Sequence, residues 1–137
     1  MYHTVILAGN LGRDPEMRYT PSGQAVTNFS VAVNDGYTNS QGERVDRTIW
    51  VRISTWGKLA EICNQYLAKG RKVLVEGRLV ADPSTGGPAT FTRQDGSTGA
   101  SFEVRALTVK FLSSRGEVDS VAGAGEEGDY PEEDIPF

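Results

Sequence analysis

One cysteine and one histidine are all that this 137-residue chain brings to thiol and imidazole chemistry. Cys63 has no second cysteine to pair with, which excludes an internal disulfide and fits a reducing compartment. A lone His3 and a lone Cys63 cannot build a zinc site of the usual kind. Long apolar runs are absent too, so no segment is expected to cross a bilayer as a helix. The opening Met1-Tyr2-His3-Thr4-Val5 lacks the basic stretch and small-residue cleavage site of a signal peptide. Phosphate-cradling glycine loops are missing as well: Gly86-Gly87 and Gly123 to Gly125 have no Lys-Ser/Thr partner. Catalysis needs a positioned base, nucleophile or metal set. Here His3 lies at the terminus, Cys63 lies on an apolar face, and Asp14, Glu16, Asp35 and Glu43 fall in turns and loops. These absences lead us to expect a cytoplasmic protein, not an enzyme, with no cofactor and no metal.

What the chain does contain is an uneven distribution of charge. Residues 1–112 hold 13 Lys/Arg against 10 Asp/Glu, a balance of +3. Residues 113–137 hold one Arg against 8 Asp/Glu, a balance of −7, and together they give the net −4. A mildly basic body followed by a strongly acidic tail reads as two functional pieces. The tail, with Gly123, Gly125 and Gly128 and little to bury, is expected to be disordered.

Val5 to Ala8 reads as a first strand, followed by turns at residues 10–15 and 21–23. Ala25 to Asn34 is a second strand, and Asp35 to Asp46 a polar hairpin loop. Arg47 to Trp56 is the clearest strand of the chain. The period then changes. Leu59, Ile62, Cys63, Tyr66 and Leu67 share one helical face, with Gly57 before it and Gly70 as a C-terminal stop. Lys72 to Leu79 returns to strand, Asp82 to Gly99 reads as a long loop, and Phe102 to Leu112 is the last strand. The apolar phase shifts between Ala106 and Leu107, which predicts a bulge or a strand buried on both faces. Three strands, a short helix and two strands is the order of an all-β, five-stranded OB-fold, a Greek-key barrel with one helix between strands three and four.

The third strand carries the functional signal. Side chains alternate along a strand, so Ile49, Val51, Ile53 and Thr55 point one way. Thr48, Trp50, Arg52, Ser54 and Trp56 point the other. A second core layer or a subunit interface would also cover two tryptophans. Tyr37 in the hairpin loop and Phe91 beside Arg93 in the long loop are poor core candidates, and they favour a different purpose. Unpaired bases stack on aromatic rings and their phosphates pair with nearby cations, a combination that single-stranded nucleic acid requires. Arg52 on the tryptophan face, Lys58 just after Trp56, and Arg93 are the cations placed to serve it.

Residues 5–16, Val5-Ile6-Leu7-Ala8-Gly9-Asn10-Leu11-Gly12-Arg13-Asp14-Pro15-Glu16, followed by Arg18-Tyr19 and Gly23, resemble the opening of the bacterial single-stranded DNA-binding proteins, the homotetrameric OB-fold type. So do Thr48-Ile49-Trp50 leading to Trp56-Gly57-Lys58-Leu59-Ala60-Glu61, then Tyr66-Leu67-Ala68-Lys69-Gly70, and Val75-Glu76-Gly77-Arg78-Leu79. Glu132-Glu133-Asp134-Ile135-Pro136-Phe137 is similar to the acidic tip through which that family recruits replication and repair proteins. The resemblance implies a DNA-binding domain over 1–112 and a tail over 113–137 whose partner-binding residues are Asp134, Ile135, Pro136 and Phe137. It implies stacking by Trp50, Trp56, Tyr37 and Phe91 and adds Lys69 to the cations Arg52, Lys58 and Arg93. It also implies a homotetramer, a nucleoid-associated location, and roles in replication, recombination and repair. Two other OB-fold uses stand beside this reading. Protein assembly or oligosaccharide binding would use tryptophan platforms but would leave the cations and the Ile-Pro-Phe end unexplained. A replication-restart accessory protein would normally lack the acidic tip.

Overall fold

The computed structural model describes residues 1–113. Its elements in chain order are β1 (Val5–Leu11), β2 (Glu16–Tyr19), β3 (Ala25–Asn34), β4 (Tyr37–Thr38), β5 (Arg44–Val45), β6 (Thr48–Trp56), α1 (Lys58–Tyr66), β7 (Lys72–Leu79), β8 (Ala89–Thr92) and β9 (Thr98–Phe111). β1 pairs antiparallel with β7, β7 with β9, and β6 with β3. β9 runs parallel to β6, a pairing that requires a crossover, and α1 with β7 supplies it. β3 returns to β1 through Asn10↔Ala32 and Leu11↔Val31, so the ring closes into a five-stranded barrel. The expected OB-fold is the observed architecture.

Alternation along the strands builds the interior. Leu11, Phe29, Val31, Val51, Ile53, Val73, Val75 and Val104 are buried together, and α1 adds Cys63 and the following Leu67. Close approach of backbones demands glycine at the seam: a Cβ on Gly9 would sit 2.2 Å from the Ala32 carbonyl oxygen, and one on Gly77 2.1 Å from that of Arg105. Two buried threonines link the helix to β3 and β3 to β6. Thr27 Oγ1 donates to the Ala60 carbonyl at 2.7 Å, and Thr55 Oγ1 donates to the Thr27 carbonyl at 2.9 Å. Among the described residues no helix is long and apolar enough to cross a membrane.

Several expectations change in detail. The long loop over residues 82–99 contains a hairpin: β8 pairs with the start of β9, so the last strand begins at Thr98 rather than Phe102. Asp95-Gly96, with Gly96 at φ +90°, makes the turn, and short polar strands with little apolar alternation hid it. β2 lies between the two expected turns and pairs with the first half of β3, while β4 and β5 form a small hairpin inside the loop at residues 35–46. The helix ends at Tyr66 with Leu67 extended, three residues before Gly70, whose φ of +89° shapes the next turn. Ala60 is fully buried, whereas Tyr66 is exposed and meets Phe111 at a ring separation of 6.1 Å. The phase shift near Leu107 is a bulge: Glu76 pairs with Thr108 but Gly77 with Ala106, leaving Leu107 unpaired and exposed.

Candidate nucleic-acid interface

β6 follows its alternation. Val51, Ile53 and Thr55 are buried, and Trp50 stands out from the barrel with 55% of its surface exposed. Its neighbours on β3 are small: Ala32 lies opposite Trp50, Ser30 opposite Arg52 and Asn28 opposite Ser54. Gly12, in the turn after β1, lies under the indole, where a Cβ would come within 2.5 Å of the ring. Large residues on β6 beside small ones on β3 and β1 leave a shelf rather than a filled surface.

That shelf opens into a groove of about 890 Å³, lined among others by Trp50, Arg52, Phe91, Arg93, Arg47 and Phe102. Four of the eight residues expected to bind nucleic acid are therefore brought together. Phe91 reaches the groove because β8 folds back on β9, setting it opposite Gly99. A Cβ on Gly99 would meet the Phe91 ring at 2.6 Å and the Arg93 guanidinium at 2.7 Å, so glycine there lets both lie across the strand. The guanidinium of Arg93 sits 5.4 Å from the Phe91 ring centre and donates to the Thr98 carbonyl at 3.0 Å. At the hairpin tip, the hydroxyl and N–H of Ser97 hold the Asp95 carboxyl below its ordinary value.

Tyr37 adjoins the groove through Arg47. The Arg47 guanidinium lies 4.9 Å from the Tyr37 ring centre and forms a 2.7 Å ion pair with Asp35. A smaller hollow of about 300 Å³, lined by Arg13, Asp14, Glu16, Asn28, Phe29, Ser30 and Arg52, continues the depression across β3. Besides Tyr37, three expected residues lie outside the main groove. Trp56 is on the same face of β6 as Trp50 but about 20 Å along it, six residues at a strand's rise. It is half-buried, opposite the buried Val26, with the Arg105 guanidinium 5.2 Å from its ring. Lys58 is exposed on the first residue of α1, just beyond Trp56. Lys69 is exposed near the turn after β1, its backbone N–H donating to Asp14 Oδ1 at 2.8 Å. Sequence reasoning passed over Phe102 and Arg47 as groove residues. Phe102 is 59% exposed because β9 runs on past the barrel to meet β8, and strand phase alone places it inward beside Val51.

A model of the single-strand binding protein family matches residues 2–112. The chain belongs to that family. The span takes in the barrel, the helix and the three hairpins, and with them every candidate stacking residue; the chain is a binding protein rather than an enzyme. Single-stranded DNA-binding protein 1 of Chlorobaculum tepidum is 57% identical over 75 residues, which are 55% of this chain and 46% of its own length. The single-stranded DNA-binding protein of Neisseria meningitidis is 44% identical over 113 residues, 82% of this chain and 61% of its own length. That of Wolinella succinogenes is 40% identical over 116 residues, 85% of this chain and 67% of its own. The matches thus span about half to two thirds of these relatives' lengths. Asp134, Ile135, Pro136 and Phe137 lie outside both the matched span and the described residues, as does the tail from residue 114 onward.

Proposed function

We propose that this chain binds single-stranded DNA without sequence preference. One observation carries the reading: an indole more than half exposed on a barrel strand, in an open groove that also holds Phe91, Arg52 and Arg93. An exposed ring stacks on any unpaired base and the guanidinium groups pair with phosphates, so affinity does not depend on base identity. Trp50, Phe91, Tyr37 and Trp56 are the stacking surfaces, and Arg52, Arg93, Lys58 and Lys69 the phosphate contacts. The relatives named as single-stranded DNA-binding proteins support the same reading. Oligothymidine should quench the intrinsic tryptophan fluorescence, and an oligosaccharide of similar size should not. Quenching by the sugar alone would move the function to carbohydrate binding.

The chain works as two parts, a DNA-binding domain over 1–112 and an acidic tail over 113–137. In the cell it serves replication, recombination and repair in the nucleoid. Exposed apolar side chains at Ile6, Leu107 and Phe111 support self-association, and the assembly is a homotetramer. Light scattering should give the mass of four chains; the mass of one would contradict it. The tip recruits partners: Ile135 and Phe137 offer apolar side chains to a basic-rimmed apolar pocket, and Asp134 steers them there. Pro136 restricts Ile135 and lowers the cost of ordering the segment on binding. Deleting residues 134–137 should abolish capture of replication and repair proteins while DNA affinity stays equal or rises slightly. A truncated chain that still captures the same partners would show the tip to be a solubilising end.

A further inference from the structure

Arg47, Arg52 and Arg93 line the Trp50 groove, and one carboxylate, Asp35, lines it with them. An unpaired carboxylate there would repel the phosphates that the arginines attract. Asp35 is paired: its Oδ2 accepts from Arg47 Nη2 at 2.7 Å. Among the described residues the only other ion pair is Arg44–Asp46, so Arg52 and Arg93 meet no acid. The groove therefore holds two cations without an acid and one that is already neutralised.

The backbone sets this pair. Asp35 follows the last residue of β3, Arg47 precedes the first of β6, and the ladder between the two strands ends at Asn34↔Thr48. The Asp35 N–H donates to the Arg47 carbonyl at 2.8 Å, closing the neck of the loop that carries β4 and β5. The same guanidinium lies 4.9 Å from the ring centre of the exposed Tyr37. One side chain thus neutralises the groove's carboxylate and covers a ring on which a base could stack. The pair opens easily, because both side chains are about half exposed and such ion pairs contribute little to stability.

We propose that Arg47 is a further DNA-binding residue of the Trp50 groove and that Asp35 is its internal competitor: a phosphate of single-stranded DNA binds Arg47 by displacing the Asp35 carboxylate. The inference rests on the single-stranded DNA reading above and adds to it one contact and the group that restrains that contact. Displacement exchanges one charge-assisted hydrogen bond for another, so Arg47 adds little net affinity in the parent chain. The displaced carboxylate takes up a cation as the DNA releases one, so Arg47 adds little to the salt dependence either. Asp35 thereby keeps the hold on DNA weaker than three free arginines would make it, and the exchange uncovers the Tyr37 ring for a base.

The test titrates the full chain and its Asp35→Asn, Arg47→Gln, double and Asp46→Asn variants with oligothymidine across a salt series. Asp35→Asn keeps the side chain's shape and the backbone hydrogen bond and removes the competing charge. At low salt it should bind about tenfold more tightly, the size of one charge-assisted contact. Its log affinity against log salt should steepen by about 0.7, one phosphate's share. Arg47→Gln should bind more weakly than the parent, because Asp35 then faces the strand unpaired, and the double variant should return close to the parent in affinity and slope. Asp46→Asn makes the same charge change at a carboxylate that pairs with Arg44 and does not line the groove, and it should leave the slope at the parent's value. Equal gains from Asp35→Asn and Asp46→Asn would reduce the effect to overall charge and overturn the competition. Unchanged or weaker binding by Asp35→Asn would overturn it too, and a melting temperature that falls with the affinity would make the pair a staple of the loop. In each of these cases a Trp50→Ala variant that still binds more weakly leaves the DNA reading standing. A parent chain that does not bind oligothymidine ends the DNA reading itself.

Discussion

Trp50 and Trp56 occupy the same face of one strand yet differ in what surrounds them. Trp50 lies over Gly12 and opposite Ala32, with more than half of its surface open. Trp56 is half-buried opposite Val26, and its Nε1 has no hydrogen-bond partner. Trp50→Ala should therefore lose one base stack, about 1–3 kcal/mol of binding, and leave the melting temperature near the parent's. Trp56→Ala should weaken binding and also destabilise the barrel, because it uncovers apolar surface next to Val26. Titration and thermal unfolding of the two variants separate the effects; a Trp50 variant that unfolds would place its ring in the core. Strand alternation was enough to point both rings outward from the sequence. It could not distinguish their exposure, because that depends on Gly12 and Val26, which are distant in the chain or on another strand.

At the scale of elements, β6 and α1 were legible because each has one dominant period. The β8–β9 hairpin was not, since Ala89 to Thr92 is short and polar and gains its conformation from pairing with residues 98–101. Phe91 was placed near the interface by its loop position beside Arg93 and by the family resemblance, and the hairpin supplies the physical reason, a glycine at position 99 opposite the ring. The helix offers a different test. Desolvation pushes the Cys63 thiol from its ordinary 9.0 up to about 12, against a smaller opposing contribution from its hydrogen bond with Thr55. The folded state thus holds the proton more tightly than the unfolded chain. Stability from this group is complete below about pH 9 and is lost as the pH rises from 9 toward 12. Cys63 should resist alkylation at pH 8 until the protein is unfolded. Rapid modification of the native protein would show that α1 does not seal that end of the barrel.

For the whole molecule, the account joins a charge imbalance to a geometry. The basic body presents exposed aromatics in the groove between the barrel and the β8–β9 hairpin, where only a strand with unpaired bases can stack on them. The acidic excess lies almost entirely beyond the barrel, in residues 113–137. A duplex offers the same phosphates but keeps its bases in the stack, so it can use the cations and not the rings. The most direct measurement is therefore the affinity of the full chain for oligothymidine and for a duplex of equal length in the same salt series. The account predicts much tighter binding to the single strand, persisting at salt concentrations where duplex binding has disappeared, with a slope of about −0.7 for each phosphate neutralised. Equal affinity for the two forms across the series would contradict it, because the aromatic groove would then contribute nothing that charge alone does not.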